Sequence, residues 1–237
     1  GWYWTSTTAV ISPSHAWYVD MAGGRMFYGG KDQSFMVWPV RGPAAHRLPV
    51  TGQHSCYDAR GAPVDCDGCG QDGAIQAGQP WPEARFRIEA HEVFDRLTGL
   101  YWQRCADLAH GDVAWEAALA SIVALNASGD HNSWRLPNIN ELETLVDCSR
   151  CRPALAVAEP VFERLGSVYW SSTTSMYEPD WAWALYLDKG AVGVGQKLQA
   201  RFSVWAVREH QVLPEQAPFD PGSLRGYSAP QRRPQDH

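Results

Sequence analysis

Apolar and polar positions alternate near both ends of the chain and recur at helical spacing only in its middle. Ala16-Trp17-Tyr18-Val19 and Ala182-Trp183-Ala184-Leu185 read as strands. So do Phe35-Met36-Val37-Trp38-Pro39-Val40-Arg41 and Phe202-Ser203-Val204-Trp205-Ala206-Val207-Arg208. In between, Trp115, Ala118, Leu119, Ile122 and Leu125 share one helical face and predict a helix over 114–125, with Asp112 as N-cap and Gly129 as stop signal. Trp134-Arg135-Leu136-Pro137 then leads into a second helix over 139–147, where Asn138 and Glu141 have capping-box spacing. Phe94-Asp95-Arg96-Leu97-Thr98-Gly99-Leu100-Tyr101-Trp102 reads as a turn followed by a strand.

The strand patterns belong to a duplication. Tyr3-Trp4-Thr5-Ser6-Thr7-Thr8 matches Tyr169-Trp170-Ser171-Ser172-Thr173-Thr174. Each is followed by a proline (Pro13, Pro179), a strand, a turn glycine (Gly24, Gly190) and a closing apolar tract, with one residue of slippage between the two tracts. Only the second unit has helices before it. The chain therefore divides into a β-rich half-repeat at 1–42, a turn-rich connector at 43–88, a complete domain at 89–209 and an extended Pro-rich tail at 210–237. An isolated hairpin is marginal in water, so the half-repeat with Trp4, Trp17, Phe35 and Trp38 is expected to pack extensively against other polypeptide.

Hydrophobic residues make up 45% of the 237 positions and charged residues 19%, enough for a core and too ordered a composition for a disordered chain. A net charge of −6 without a clustered basic surface argues against nucleic acid as a partner. No apolar run is long enough for a transmembrane segment, and no basic n-region with an apolar h-region opens the sequence, which points to a mature form or an intracellular protein. The six cysteines are Cys56, Cys66, Cys69, Cys105, Cys148 and Cys151. Two C-x-x-C pairs invite a shared zinc site, but their separation is far from that of a zinc ribbon. A thioredoxin-like motif needs its cysteine at a helix N-terminus, whereas Cys148 falls near the end of a predicted helix. An even count in a loop-rich chain favours disulfides in an oxidising compartment, with Cys56–Cys66, Cys148–Cys151 and Cys69–Cys105 as the preferred pairing.

The motifs read as packing before chemistry. Trp134 and Leu136 are expected in the core, Pro137 at a helix start and Arg135 in a buried ion pair. No base stands at a recognisable offset from the Ser/Thr runs, so Ser171, Thr173 and their counterparts are expected to satisfy backbone groups. The eight histidines form no zinc-protease pattern, and Gly190–Gly195 reads as a Gly-rich β-turn rather than a nucleotide loop. Calcium would need oxygens from Asp130, Asn132, Glu178, Asp180 and Asp188, yet no dense Asp-x-Asp-x-Asp run occurs; no metal or other cofactor is assigned. An exposed Trp181 beside Glu178 and Asp180 would suit stacking on a sugar face, which makes the 175–181 loop, with Asp130 and Asn132, the candidate ligand surface.

The ordered series Thr98-Gly99-Leu100-Tyr101-Trp102-Gln103, Trp115-Glu116-Ala117-Ala118, Trp134-Arg135-Leu136-Pro137-Asn138 with Glu141-Leu142, Tyr169-Trp170-Ser171-Ser172-Thr173 and Val207-Arg208 resembles the Lcl C-terminal domain family. Thr51-Gly52-Gln53, Cys56-Tyr57 and Gly70-Gln71-Asp72-Gly73 resemble the segment that precedes this domain in relatives. The resemblance implies an α+β, C-type-lectin-like fold, with two helices on small antiparallel sheets. It also implies a bacterial module that is secreted, surface-attached or periplasmic. The expected function is therefore non-enzymatic: adhesion, or a subunit of an external assembly, with other protein chains as partners and an oligomeric state. A calcium-independent or calcium-dependent glycan-binding domain is the alternative. A cysteine-dependent oxidoreductase, resting on Cys148 and Cys151, is the lesser one. The family's collagen-like Gly-X-Y stalk is absent from this sequence.

Overall fold

A computed structural model describes residues 1–41, 48–128, 133–157 and 161–209. The chain opens with strands β1 (Trp2–Thr8), β2 (His15–Asp20) and β3 (Arg25–Gly30). The connector holds β4 (Cys56–Tyr57), β5 (Pro63–Val64) and the short helix α1 (Asp72–Ile75). Strands β6 (Phe86–Glu89), β7 (Glu92–Asp95) and β8 (Leu100–Gln103) come next, then helices α2 (Trp115–Ser128) and α3 (Ile139–Glu143). Strands β9 (Val168–Thr174), β10 (Trp181–Tyr186), β11 (Ala191–Gln196) and β12 (Val207–Glu209) complete the described part. The strands form a six-stranded sheet ordered β1-β2-β3-β11-β10-β9, a four-stranded sheet ordered β12-β8-β7-β6, and the β4-β5 ribbon. Pairing between these strands is antiparallel, and the architecture is mixed α+β.

The duplication is reproduced bond for bond. Trp4 faces Tyr18 and Thr8 faces Ala16 across a register shift, as Trp170 faces Ala184 and Thr174 faces Ala182. Thr5 Oγ1 donates to the Trp17 carbonyl at 2.9 Å, and Ser171 Oγ donates to that of Trp183 at 2.8 Å. Those hydroxyls also accept from the Thr7 and Thr173 N–H groups, so they satisfy backbone as expected. Each closing tract forms one parallel bridge to its own first strand, Tyr3 with Met36 and Tyr169 with Ser203. The two repeats meet through their third strands, where Met26 pairs with Val192, its own counterpart. An approximate two-fold axis thus runs between β3 and β11, the geometry of an isologous dimer within one chain. Ala9, Trp17 and Ala191 form a small core at this junction, packed with Met26, Tyr28 and Tyr186.

That joint corrects three expectations. The sheets are not all small, because each repeat supplies three strands to one sheet. Residues 191–195 are strand, with only Gly190 (φ 74°) serving as the turn; a Cβ at Gly195 would overlap Phe202 and Trp170, so glycine stands there for close packing. Residues 35–41 form no strand, only the Met36 bridge.

The helices also differ in their ends. Asp112 does not cap α2; its carboxylate accepts from Ser203 Oγ at 2.6 Å, while the Trp115 N–H donates to the Lys197 carbonyl. The helix runs past Leu125 to Ser128, where Asn126 bonds Trp134 through both its amide nitrogen and its oxygen; Gly129 lies outside the described residues. The Asn138–Glu141 capping box is present, but α3 stops at Glu143 because residues beyond it pair with 154–156: Ala156 N–H to Leu145 and Asp147 N–H to Ala154. Tertiary backbone pairing overrides the apolar spacing that predicts helix to 147, and Cys148 is not at a helix end.

The complete domain buries Trp102, Tyr169, Trp205, Leu142 and Leu145 in one cluster. Tyr101, Ala118, Ile122, Trp134, Leu136 and Trp170 lie in a second. The connector is docked rather than loose. Gln53, almost fully buried, exchanges two hydrogen bonds with the Thr8 backbone and donates to the Cys148 carbonyl. Asp72 accepts from the hydroxyls of Thr7 and Thr51.

Candidate interaction surface

The family-like motifs are engaged in holding the fold. Trp134 and Leu136 are buried as expected, and Arg135 pairs with Glu141 through two bonds of 2.7 and 2.6 Å. That pair is not buried, however: the arginine side chain is more than one-third exposed. Hydrogen bonding to Glu141 raises the Arg135 pKa from its ordinary value. The buried ion pair is instead Arg85–Asp95, whose bidentate bonds of 2.9 and 2.8 Å are joined by a bond from Arg85 to the Thr144 carbonyl. Asp95 also accepts from Leu97 N–H and Thr98 Oγ1, closing the turn into β8.

The 175–181 loop differs from its expected form. Trp181 is half-buried and opens β10, opposite Gln196, rather than standing free beside the carboxylates. Its N–H donates to the Glu178 carbonyl, and Ser175 N–H donates to its own carbonyl. The Glu178 carboxylate is paired with Arg25 of the first repeat, while Asp180 stays exposed. The exposed apolar side chains of the loop are Met176 and Tyr177. Asp130 and Asn132 lie outside the described residues. Asp188 is held by a turn where its backbone carbonyl accepts from Arg152. Among the described residues no three His, Cys, Asp or Glu side chains converge as metal ligands.

Cys56 and Cys66 form a disulfide, with Cα atoms 5.3 Å apart. The other two preferred pairings do not form, and Cys69, Cys105, Cys148 and Cys151 are thiols. Cys69 sits on an exposed connector turn, whereas Cys105 is bridged to Glu163 at the edge of the complete domain. Cys148 donates its N–H to the Thr51 carbonyl, and Arg152, which follows Cys151, donates its N–H to that of Asp188. Burial, with help from Asp72, Asp147 and Glu143, pushes the Cys148 thiol up to about 12, so it is a neutral packing group rather than a nucleophile.

The surface that departs from the rest of the molecule lies on the first repeat. Val204, Trp205 and Val207 are fully buried, whereas their counterparts Val37, Trp38 and Val40 are 76%, 64% and 92% exposed. Trp2 and Met36 add to this exposed surface. Trp4, Tyr18 and Phe35 cluster beside it, with ring centroids 4.3 Å apart for Trp4–Phe35 and 4.8 Å for Tyr18–Phe35. Residues 35–41 and 202–208 share their apolar pattern, with Pro39 at the position of Ala206; the further sequence signals for the difference are Tyr18 at the position of Ala184 and the helical segment present only before the second repeat.

Residues 91–208, the stretch from β7 into β12, match the model of the Lcl C-terminal domain. No curated protein matches the chain. Among the described residues no helix is long and apolar enough to cross a membrane.

Proposed function

We propose that the chain is a non-enzymatic interaction module, acting in adhesion or as a subunit of an external protein assembly, on a C-type-lectin-like variant of the α+β fold. The observation that carries this reading is the exposed apolar surface around residues 36–40 of the first repeat. Large apolar side chains gathered around one exposed tract, Trp38 on the Tyr3 side and Trp2 on the Tyr18 side, have the chemistry of a protein-binding patch. Two further features support it. The Ser/Thr hydroxyls of the repeated motif are engaged with backbone, and the Cys56–Cys66 disulfide suits a secreted, cell-surface or periplasmic setting. Glycan binding by the 175–181 loop has less behind it, because Glu178 is neutralised by Arg25 and Trp181 is half-buried.

The test is retention on the cells that make the protein. Wild-type chain is expected to sediment with intact cells, to be removed by added protease, and to resist alkylation at Cys56 and Cys66 before reduction. A Trp2→Ser/Trp38→Ser variant of unchanged melting temperature is expected in the medium or the soluble fraction. Equal retention of the variant, or free thiols at both cysteines in the cell, overturns the reading.

A further inference from the structure

Resting on the reading of the chain as an interaction module, we propose that residues 37–41 are a docking edge for a strand of a different polypeptide. That strand would add antiparallel to the edge, presenting aromatic or aliphatic side chains to Trp38 and a carboxylate to Arg41. The second repeat supplies the template. There the Ala206 carbonyl accepts from Gln103 N–H at 3.0 Å, and Val207 and Arg208 pair with Trp102 and Tyr101 of β8. Trp205 Nε1 donates to the Gln103 carbonyl at 2.7 Å. The Arg208 guanidinium is paired with Glu92 and lies 4.0 Å over the Tyr101 ring.

The first repeat keeps the receiving half of this arrangement. Met36 is locked by hydrogen bonds to Trp2 and from Trp4, and Trp38 leans on Tyr3 at 5.5 Å as Trp205 leans on Tyr169 at 5.1 Å. Beyond Met36, residues 37–41 have no backbone hydrogen bond with any described residue, and Arg41 has no ion pair among them. Residues 37–41 form no strand on their own, but unpaired backbone groups beside exposed aromatics, continuing from the Met36 bridge, are what β-strand addition uses. Pro39, which has no N–H, stands where Ala206 gives its carbonyl, so a partner in the same register loses no bond there.

The occupant is a strand and not a helix. Tyr18 stands at the position of Ala184, which in the second repeat packs in one cluster with Ala118 and Ile122 of α2. Tyr18 stacks on Trp2, meets Phe35 edge-on and takes that volume for itself. A second copy of this chain fits poorly, since it would bring Arg41 toward Arg41, and its own Glu92 is already held by Arg208.

The experiment is amide exchange on the full chain with a synthetic peptide of residues 90–104, which carries Glu92, Tyr101 and Trp102. Saturable binding that slows exchange at Val37 and Arg41, the alternate amides that face away from β1, at least tenfold is expected. Arg41→Pro should abolish the protection at Val37. Arg41→Glu should weaken binding at least threefold, and a peptide with Glu92→Lys should restore it. Unchanged exchange at Val37 and Arg41 under saturating peptide, or equal protection of Val37 in Arg41→Pro, overturns the proposal. Protection that grows with the chain's own concentration and needs no peptide makes a second copy the occupant and overturns the assignment to a different polypeptide. A failure of either kind leaves the cell-retention result standing, so it is separable from failure of the functional reading.

Discussion

Residues 202–208 and 35–41 are two versions of one tract, and they show that burial is a property of surroundings rather than of sequence. Both follow the same three-stranded meander and both hang from it by one parallel bridge. In the second repeat the tract is the interior seam between two sheets and two helices. In the first it is a surface. The difference comes from what lies over them: β8, α2 and the Trp134–Pro137 turn cover one tract, while the connector bonds Thr7, Thr8 and Lys31 of the first repeat and makes no backbone bond to the other tract among the described residues.

The sharpest way to break this comparison is paired truncation of the tryptophans. Trp205→Ala is expected to cost about 3–5 kcal/mol in urea unfolding, through lost burial and a cavity. Trp38→Ala should cost about 0.5 kcal/mol or less. Comparable losses would mean that the first tract is covered in solution. The paired arginines come next. Arg208→Met leaves Glu92 without its partner in a largely buried position and should cost about 2–4 kcal/mol, whereas Arg41→Met should be close to neutral.

Cys56→Ala/Cys66→Ala asks how far the connector holds the first repeat in place. Opening a loop with a sequence separation of 10 is expected to cost about 2–3 kcal/mol, and hydrogen exchange should quicken in β1 before β9. At about 1 kcal/mol, Thr5→Val and Ser171→Ala should cost the same, because they remove the same bond from the two repeats.

The smallest effect lies at the junction of connector and domain. Folding raises the Cys148 thiol from 9.0 to about 12 and so favours its protonated form. Its contribution is complete below 9.0 and is lost as pH rises toward 12. Wild type should therefore lose stability relative to Cys148→Ala over that window. A difference between the two that does not change with pH would count against burial of the thiol.

Local patterns were legible in the chain wherever a residue acts on its neighbours. The Asn138–Glu141 box, the α2 face, the Gly24 and Gly190 turns and the Cys56–Cys66 loop all depend on contacts close in sequence, and all are present. Gln53 and Asp72, which dock the connector, could be noticed only because they sit in family-like motifs. Their partners, Thr8, Cys148 and Thr7, are far away in the chain. The pairing of Glu178 in the 175–181 loop was not legible, because its partner Arg25 lies far away in the chain.

The sequence by itself determined the duplication, the Asn138–Glu141 capping box, the Gly24 and Gly190 turns and the apolar face of α2, since hydrogen-bond geometry and side-chain period operate over a few residues. Only the tertiary structure decided that the two repeats join by their third strands into one sheet, that α3 stops at Glu143, and which of two near-identical tracts is buried. Those outcomes depend on long-range backbone pairing and on the volume left by distant side chains, such as Ala184 against Tyr18, and no local pattern encodes that competition.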